Sequence, residues 1–256
     1  MNPPMKRSYA FWVIGVLSVV ASGGAVEWRA GLAKTVITPP RPVFMSGYAS
    51  RNKPSEGVVH HLYAKALALT DGTGHRAVLI TSDLIGFRAA VGDPICERIM
   101  KETGLRRSQI ILSSSHTHTG PSQSVKIEAS ENMSAADARE LFDYTKWLQD
   151  RVVAVALKAL ADQREVKLSH GVGVASFVMN RREATPRGIV LGFNPRGPVD
   201  RSVPLLRIET TDGKLLGALF QAAAHNTTLT GKHYDLCGDY AGFAQAHVER
   251  ELPGVQ

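Results

Sequence analysis

The chain has 256 residues, of which 44% are hydrophobic and 21% charged, a balance that excludes a disordered chain and is typical of a globular one. Its formal net charge of +7 is modest for this length. Lysines and arginines are scattered rather than gathered in runs, so no nucleic-acid partner is expected.

The N-terminus has the layout of a secretory signal peptide. Lys6 and Arg7 precede the apolar segment 9–21, and small residues follow it. We therefore predict a signal peptide at residues 1–25 and a secreted or periplasmic protein. The alternative is an uncleaved membrane anchor, because the uncharged stretch 8–26 is long enough to span a bilayer.

The first half of the remaining chain alternates strands and helices. A strand is predicted in "WRAGLAKTVITPP", and "LYAKALALTDGTGHRAVLITSDLIG" predicts two strands around an Asp-Gly turn. Residues 91–103 predict a helix, with Pro94 near its first turn and Gly104 as its stop. The strand "QIIL" follows and leads into "SSSHTHTGPSQ".

The second half continues the alternation. Residues 134–163 form the longest helical pattern, whose apolar stripe predicts a core face at Leu141, Tyr144, Leu148, Val152 and Leu157. Strands follow in "VKLSHGVG" and, around a second Asp-Gly turn, in "LLRIETTDGKLLGALFQAAAH"; "DYAGFAQAHVERELPG" predicts a final helix. The fold class is therefore α/β, with layered mixed sheets flanked by helices and the active site at strand ends.

The histidines of "SHTHTGP" are the strongest indication of chemistry. If the chain stays extended after "QIIL", His116 and His118 point to one side, and imidazole is a common zinc ligand. His225 ends the predicted strand "GALFQAAAH" and adds a third imidazole. Two histidines two residues apart are also found in polar turns, so the pattern alone leaves both interpretations open.

Other candidate groups carry weaker signals. Asp83 and Asp239 are candidate carboxylates, each with an alternative role as a turn or cap residue. Cys96 and Cys237 lack a CxxC spacing; an exported protein permits a disulfide between them, but burial as small apolar residues is favoured. The sequence lacks the nucleophile elbow, P-loop, GxGxxG and HExxH motifs.

These residues carry a family resemblance. "SHTHTGP" is similar to the "THTHSGP" motif of the neutral/alkaline non-lysosomal ceramidases, in their N-terminal catalytic domain. The resemblance extends in order through "AGLAKTVITPP", "MSGYASR", "GVVHHLYAKALAL", "LITSDLIGF", "VMNRRE", "GPVD", "AAAHNTTL" and "GDYAGFAQ". It implies that residues 26–256 are the N-terminal part of such a domain.

The resemblance also implies site roles. Zn²⁺ would be bound by His116 and His225, His118 would contact the reacting amide, and Arg181 would contact the substrate, with Arg182 adjacent to it. The family's histidine in a Gly-Ile-His element corresponds to Val59 here, so His60 is predicted to bind substrate in its place.

The implied reaction is zinc-assisted hydrolysis of the N-acyl bond of ceramide or a related N-acyl lipid, with transient membrane-surface contact. The family completes its zinc site with a glutamate and a tyrosine from much further along. We therefore expect this chain to be a portion of a longer protein. The alternative is an exported binding or inactive domain that keeps the fold without the chemistry.

Overall fold

The computed structural model describes residues 28–256. The predicted signal peptide, residues 1–25, lies outside the described residues. Within the described part, no helix combines the length and apolar character needed to cross a membrane.

Eleven strands and three helices make up the described part. The strands are β1 Trp28–Val36, β2 Gly57–Val58, β3 Tyr63–Thr70, β4 Arg76–Ser82, β5 Ile110–Ser114, β6 Arg164–Val174, β7 Asn180–Thr185, β8 Gly188–Asn194, β9 Ser202–Thr210, β10 Leu215–Phe220 and β11 Asp235–Leu236. The helices are α1 Ala89–Thr103, α2 Ala135–Ala161 and α3 Asp239–Glu251. Seven strands form one mixed sheet in the order β10-β9-β6-β1-β3-β4-β5. Only β4 and β5 pair in parallel within that sheet.

The helices cover the two faces of the large sheet. Ala33, Ala64 and Ala66 belong to the main buried core on the side of the sheet where α2 packs against β1 and β3. Their neighbours Lys34 and Lys65 point to the opposite face, where both contact Glu249 of α3. Because successive side chains of a strand point to opposite faces of the sheet, α2 packs on one face and α3 on the other, as the predicted layers require.

The long helix α2 forms as its sequence predicts. Ser134 is its N-cap and accepts the backbone N–H of Asp137 (3.1 Å), while the Asp137 carboxylate accepts the N–H of Ser134. Of the predicted stripe, four side chains are buried and Leu157 is partly buried against the same core. Gly31 allows α2 to approach β1 closely, since a β-carbon at Gly31 would stand 1.9 Å from the Ala159 carbonyl oxygen.

Most predicted elements are confirmed, including α1 with its left-handed stop at Gly104 and both Asp-Gly hairpins. Two expectations were wrong or incomplete. The strand predicted to end at His225 ends at Phe220, and residues 221–234 form a loop. The hairpin of β7 and β8 was not predicted, because "NRREAT" has no alternation of apolar side chains. Cys96 and Cys237 are both free and buried, as favoured.

Candidate metal centre

The motif histidines lie in a turn rather than on an extended strand. Strand β5 ends at Ser114, and His116 has φ 61°, in the left-handed region. The condition of extended backbone is therefore not met, because the chain leaves the strand after Ser114 and turns at His116. The two imidazoles still lie together, with ring centroids 5.0 Å apart.

Buried threonines hold the turn in place. Thr117 and Thr119 both donate their hydroxyls to the carbonyl of Cys237, at 2.9 and 2.8 Å. The backbone N–H of Cys237 in turn donates to the Thr119 carbonyl (3.0 Å). The chain at β11 is thus fixed against the motif, although more than a hundred residues separate the two segments.

The loop after β10 brings the third histidine to the motif. The backbone N–H of His118 donates to the carbonyl of Asn226 (3.3 Å), the residue after His225. The buried Asn226 side chain donates to the Gly238 carbonyl (3.0 Å). Asp239 accepts the backbone N–H of Leu229 (3.0 Å) and so closes the same loop.

His116, His118 and His225 form what we call the three-histidine cluster. A ring nitrogen from each lies within 4.8 Å of the other two, and the other pairs of ring centroids are 4.8 and 4.7 Å apart. The Nε2 atoms of His118 and His225 are 2.8 Å apart. Such a set of imidazoles matches the donor atoms that zinc prefers.

The partners of the ring nitrogens fix the tautomers. Nδ1 of His116 lies 2.6 Å from the carbonyl of Ile85, which only accepts, so Nδ1 carries the proton and Nε2 of the neutral ring is a ligand atom. Nδ1 of His225 lies 2.8 Å from Nη2 of Arg181, which only donates. The proton of neutral His225 is therefore on Nε2, facing His118.

Burial and neighbouring positive charge favour neutral imidazoles. Burial, followed by the charge of His116, lowers the pKa of His118 below its usual value. Burial, followed by the charge of Arg181, lowers the pKa of His225. Both rings are therefore neutral at pH 7, as metal binding requires.

The tautomers constrain how a metal fits this site. His116 offers Nε2 directly. His225 offers Nε2 only when its proton moves to Nδ1, and Arg181 must then give up its bond to that atom. The donor set fits zinc, and Arg181 would compete with a bound metal for His225.

The structure does not bring every predicted group to the cluster. His60 lies elsewhere, with Nε2 3.5 Å from the Cys237 sulfur and its ring 4.8 Å from that of Phe243. Asp239 acts as a cap for the loop after His225. Asp83 is buried and accepts the N–H of Tyr63 (2.9 Å) and the amide of Gln245 (3.1 Å). Asp83 and Asp239 therefore act as structural hydrogen-bond acceptors, which is the alternative that the sequence left open.

Three residues beside the cluster had no predicted role. Gly47 has φ +100°, and a β-carbon there would stand 2.7 Å from Nδ1 of His118. The Tyr48 ring packs edge-on against the His118 imidazole, with centroids 5.1 Å apart. Arg51 donates to the His118 carbonyl (2.6 Å). All three residues belong to "MSGYASR", where the glycine was a visible signal, but the segment alone does not show that Arg51 contacts His118.

An open groove reaches the cluster on the α3 side of the sheet. It has a volume of about 1160 Å³, and His116 and His225 line one part of it. Most of its remaining surface is apolar and includes Leu67, Leu219 and Phe177. The cluster therefore borders a space suited to an apolar chain.

Comparison with known proteins identifies the family of the chain. A family model described as "Neutral/alkaline non-lysosomal ceramidase, N-terminal" matches residues 28–256. The chain belongs to this family. The crystal structure of neutral ceramidase from Pseudomonas aeruginosa superposes with a TM-score of 0.72 at 22% identity, covering 90% of this chain and 38% of that one. A structure described as "Ceramidase complexed with C2" gives the same TM-score at 23% identity, covering 90% of this chain and 37% of that one.

Curated relatives carry the same family name. The neutral ceramidase of Pseudomonas aeruginosa is 25% identical over 247 residues, which are 94% of this chain and 36% of the relative. That of Mycobacterium tuberculosis is 26% identical over 220 residues, 82% of this chain and 34% of the relative. The chain thus spans little more than a third of the relatives that it matches.

Proposed function

We propose that this chain carries part of the active site of a zinc-dependent amide hydrolase that cleaves the N-acyl bond of ceramide or a related N-acyl lipid. The observation that carries the proposal is the three-histidine cluster, in which the Ile85 carbonyl leaves His116 Nε2 as a ligand atom. Membership of the ceramidase family supports the amide as the bond cleaved.

His116 and His225 are the proposed ligands. Bound there, zinc supplies a water of lowered pKa and polarises the amide carbonyl. His116 is held for this role by its bond to Ile85. His225 can act as a ligand through Nε2 when its Nδ1 carries the proton.

His118 is proposed to act on the reacting amide. Its lowered pKa leaves the ring neutral, so one nitrogen accepts a proton while the other donates. With this ring beside the ligands, we assign it a hydrogen bond to the developing oxyanion or proton transfer to the leaving amine. Arg181, released from His225, is proposed to bind a substrate oxygen, because a guanidinium donates several hydrogen bonds in one plane.

The lipid substrate is supported by two apolar surfaces. The groove beside His116 and His225 is suited to an acyl or sphingoid chain. On the β7–β8 hairpin, Ile189, Leu191 and Phe193 are exposed, and Arg182 is paired with Leu191. Because this hairpin also carries Arg181, it supports a transient contact with a membrane surface at the entrance to the site.

Two further parts of the proposal rest on the sequence. Export through a signal peptide at residues 1–25 places the enzyme in the periplasm or outside the cell. A role for His60 in substrate binding rests on the resemblance. His60→Ala tests that role, with a raised KM and unchanged zinc content as the expected result.

The experiment uses the full-length gene product, purified with its metal. Bound zinc is measured by elemental analysis, and fatty acid release is followed with an N-acyl sphingosine. His116→Ala and His225→Ala are expected to lose both zinc and hydrolysis, whereas His118→Ala is expected to keep zinc and lose hydrolysis. His75→Ala, an exposed histidine on the β3–β4 hairpin, serves as the control.

Each outcome separates the proposals. Wild-type protein without zinc, or activity retained in His116→Ala, contradicts the mechanism. Zinc binding without hydrolysis of any N-acyl lipid favours the alternative of a binding or inactive domain. Loss of zinc in His118→Ala would make that residue a ligand instead.

A further inference from the structure

Arg51 is a buried cation that lies between three segments of the chain. Its side chain donates to the carbonyls of Ser46 and His118, both at 2.6 Å, and of His233 at 3.0 Å. The residue is only 7% exposed, and in residues 28–256 no carboxylate lies within ion-pair distance of it. Its charge is thus compensated by backbone carbonyls and by aromatic faces.

A second contact connects Arg51 to the imidazole of His118. The guanidinium carbon lies 5.0 Å from the centre of the Tyr48 ring, and that ring packs edge-on against His118 at 5.1 Å. The Tyr48 hydroxyl donates to the Leu229 carbonyl (2.7 Å) and prevents the ring from turning away. Arg51 therefore acts on His118 through its backbone and, by way of Tyr48, through its side chain.

We propose that Arg51 is a positioning residue that holds the His118 imidazole in the orientation needed for amide hydrolysis. This inference rests on the proposed function for the reaction that it serves. Arg51 itself binds no substrate, because the hydrogen bonds of its guanidinium are made to the backbone. A desolvated cation is costly, so three charge-assisted hydrogen bonds and two aromatic contacts are needed to keep it buried.

Lysine cannot replace arginine at this position. The bonds to the Ser46 and His118 carbonyls come from Nη1, and the bond to His233 comes from Nη2. An ammonium has one nitrogen and no planar face to place against Tyr48. Arg51→Lys thus preserves the charge while removing the geometry.

The first test observes His118 without substrate or metal. The full chain is labelled with ¹⁵N in its histidine rings and studied at a fixed pH above the ordinary histidine pKa. The His118 signals are assigned from their loss in His118→Gln. In Arg51→Lys we expect the His118 ring ¹⁵N shifts to move toward the average of the two tautomers. Arg41→Lys, an exposed residue paired with Glu140, is the matched control and should leave them unchanged.

The second test uses the zinc-loaded enzyme. Per molecule of bound zinc, kcat of Arg51→Lys is expected to fall on the order of 10- to 100-fold with KM within about twofold of wild type, because a misplaced group loses effective molarity rather than affinity. A folded Arg51→Lys with wild-type His118 shifts, or with wild-type kcat, would overturn the proposal.

If the wild type hydrolyses no N-acyl lipid, the proposed function fails and the ¹⁵N shifts alone decide the role of Arg51. If Arg51→Lys does not fold, Tyr48→Leu removes the ring between Arg51 and His118 and should give the same change in shifts. Unaltered His118 shifts in that variant would overturn the proposal.

Discussion

Replacing Arg181 by methionine should strengthen zinc binding while it impairs hydrolysis. The Nη2 atom of Arg181 donates to His225 Nδ1 at 2.8 Å, which leaves the proton of the neutral ring on Nε2. Zinc at Nε2 needs that proton on Nδ1. Wild-type protein must therefore break the Arg181 bond before His225 binds metal, and Arg181→Met has no such bond to break.

The magnitude follows from the strength of that bond. A hydrogen bond involving a charged group contributes about 1.5–3 kcal/mol net, and exposure reduces this one toward about 1 kcal/mol. A difference of about 1 kcal/mol corresponds to roughly fivefold in Kd. Removing the positive charge of Arg181 also reduces repulsion of a divalent metal, which again favours tighter zinc binding. We therefore expect Arg181→Met to bind zinc about fivefold more tightly than wild type.

The assay is competition for zinc between the metal-free protein and a chromophoric chelator, at fixed pH and ionic strength. Arg182→Met is the matched control, because it removes the same charge from the next residue, which makes no hydrogen bond to the His225 ring. Its Kd should fall less than that of Arg181→Met, because only the effect of the charge is removed. Equal or weaker zinc binding by Arg181→Met would refute the argument that Arg181 sets the His225 tautomer.

Three further predictions concern the support of the cluster. Gly47→Ala should destabilise the protein by about 2–3 kcal/mol in urea denaturation and reduce activity, because its β-carbon would stand 2.6 Å from His118 at a φ of +100°; Gly74→Ala, also at positive φ but in open space, should cost less. Thr119→Val should cost about 1–3 kcal/mol in the same assay, since it removes a buried donor to the Cys237 carbonyl. In the metal-free chain, the lowered pKa values of His118 and His225 imply that the unfolded state binds protons first as pH falls below about 6.5. Its urea midpoint should therefore fall on acidification through that range, and a rising midpoint would contradict the argument.

Local sequence patterns were enough to predict most strands of the large sheet and the three helices. The Asp-Gly turn between β3 and β4, the capping pair at Ser134 and the glycine stop at Gly104 each depend on residues close in the chain. Such features follow from backbone geometry and burial and need no tertiary information. The hairpin of β7 and β8 escaped prediction because its strands are largely exposed and lack the alternation that burial imposes.

The sequence also indicated the histidines but not how they meet. His116 and His225 were identified from their motif and their flanking residues. Their convergence depends on a left-handed turn at His116 and on the end of β10 at Phe220, five residues before His225, which leaves His225 in a loop. Neither feature follows from local periodicity, because both are held by contacts between segments that are distant in sequence.

The division between sequence and structure is clearest at His118. Its residue type and its motif were enough to predict it as a site residue. Its tautomer and orientation depend on Arg181 through His225, on the Gly47 backbone and on Arg51 through Tyr48. The sequence by itself determined which side chains are available for chemistry. Only the tertiary structure decided which nitrogen carries each proton, because hydrogen-bond partners come from whichever segments the fold brings within about 3 Å.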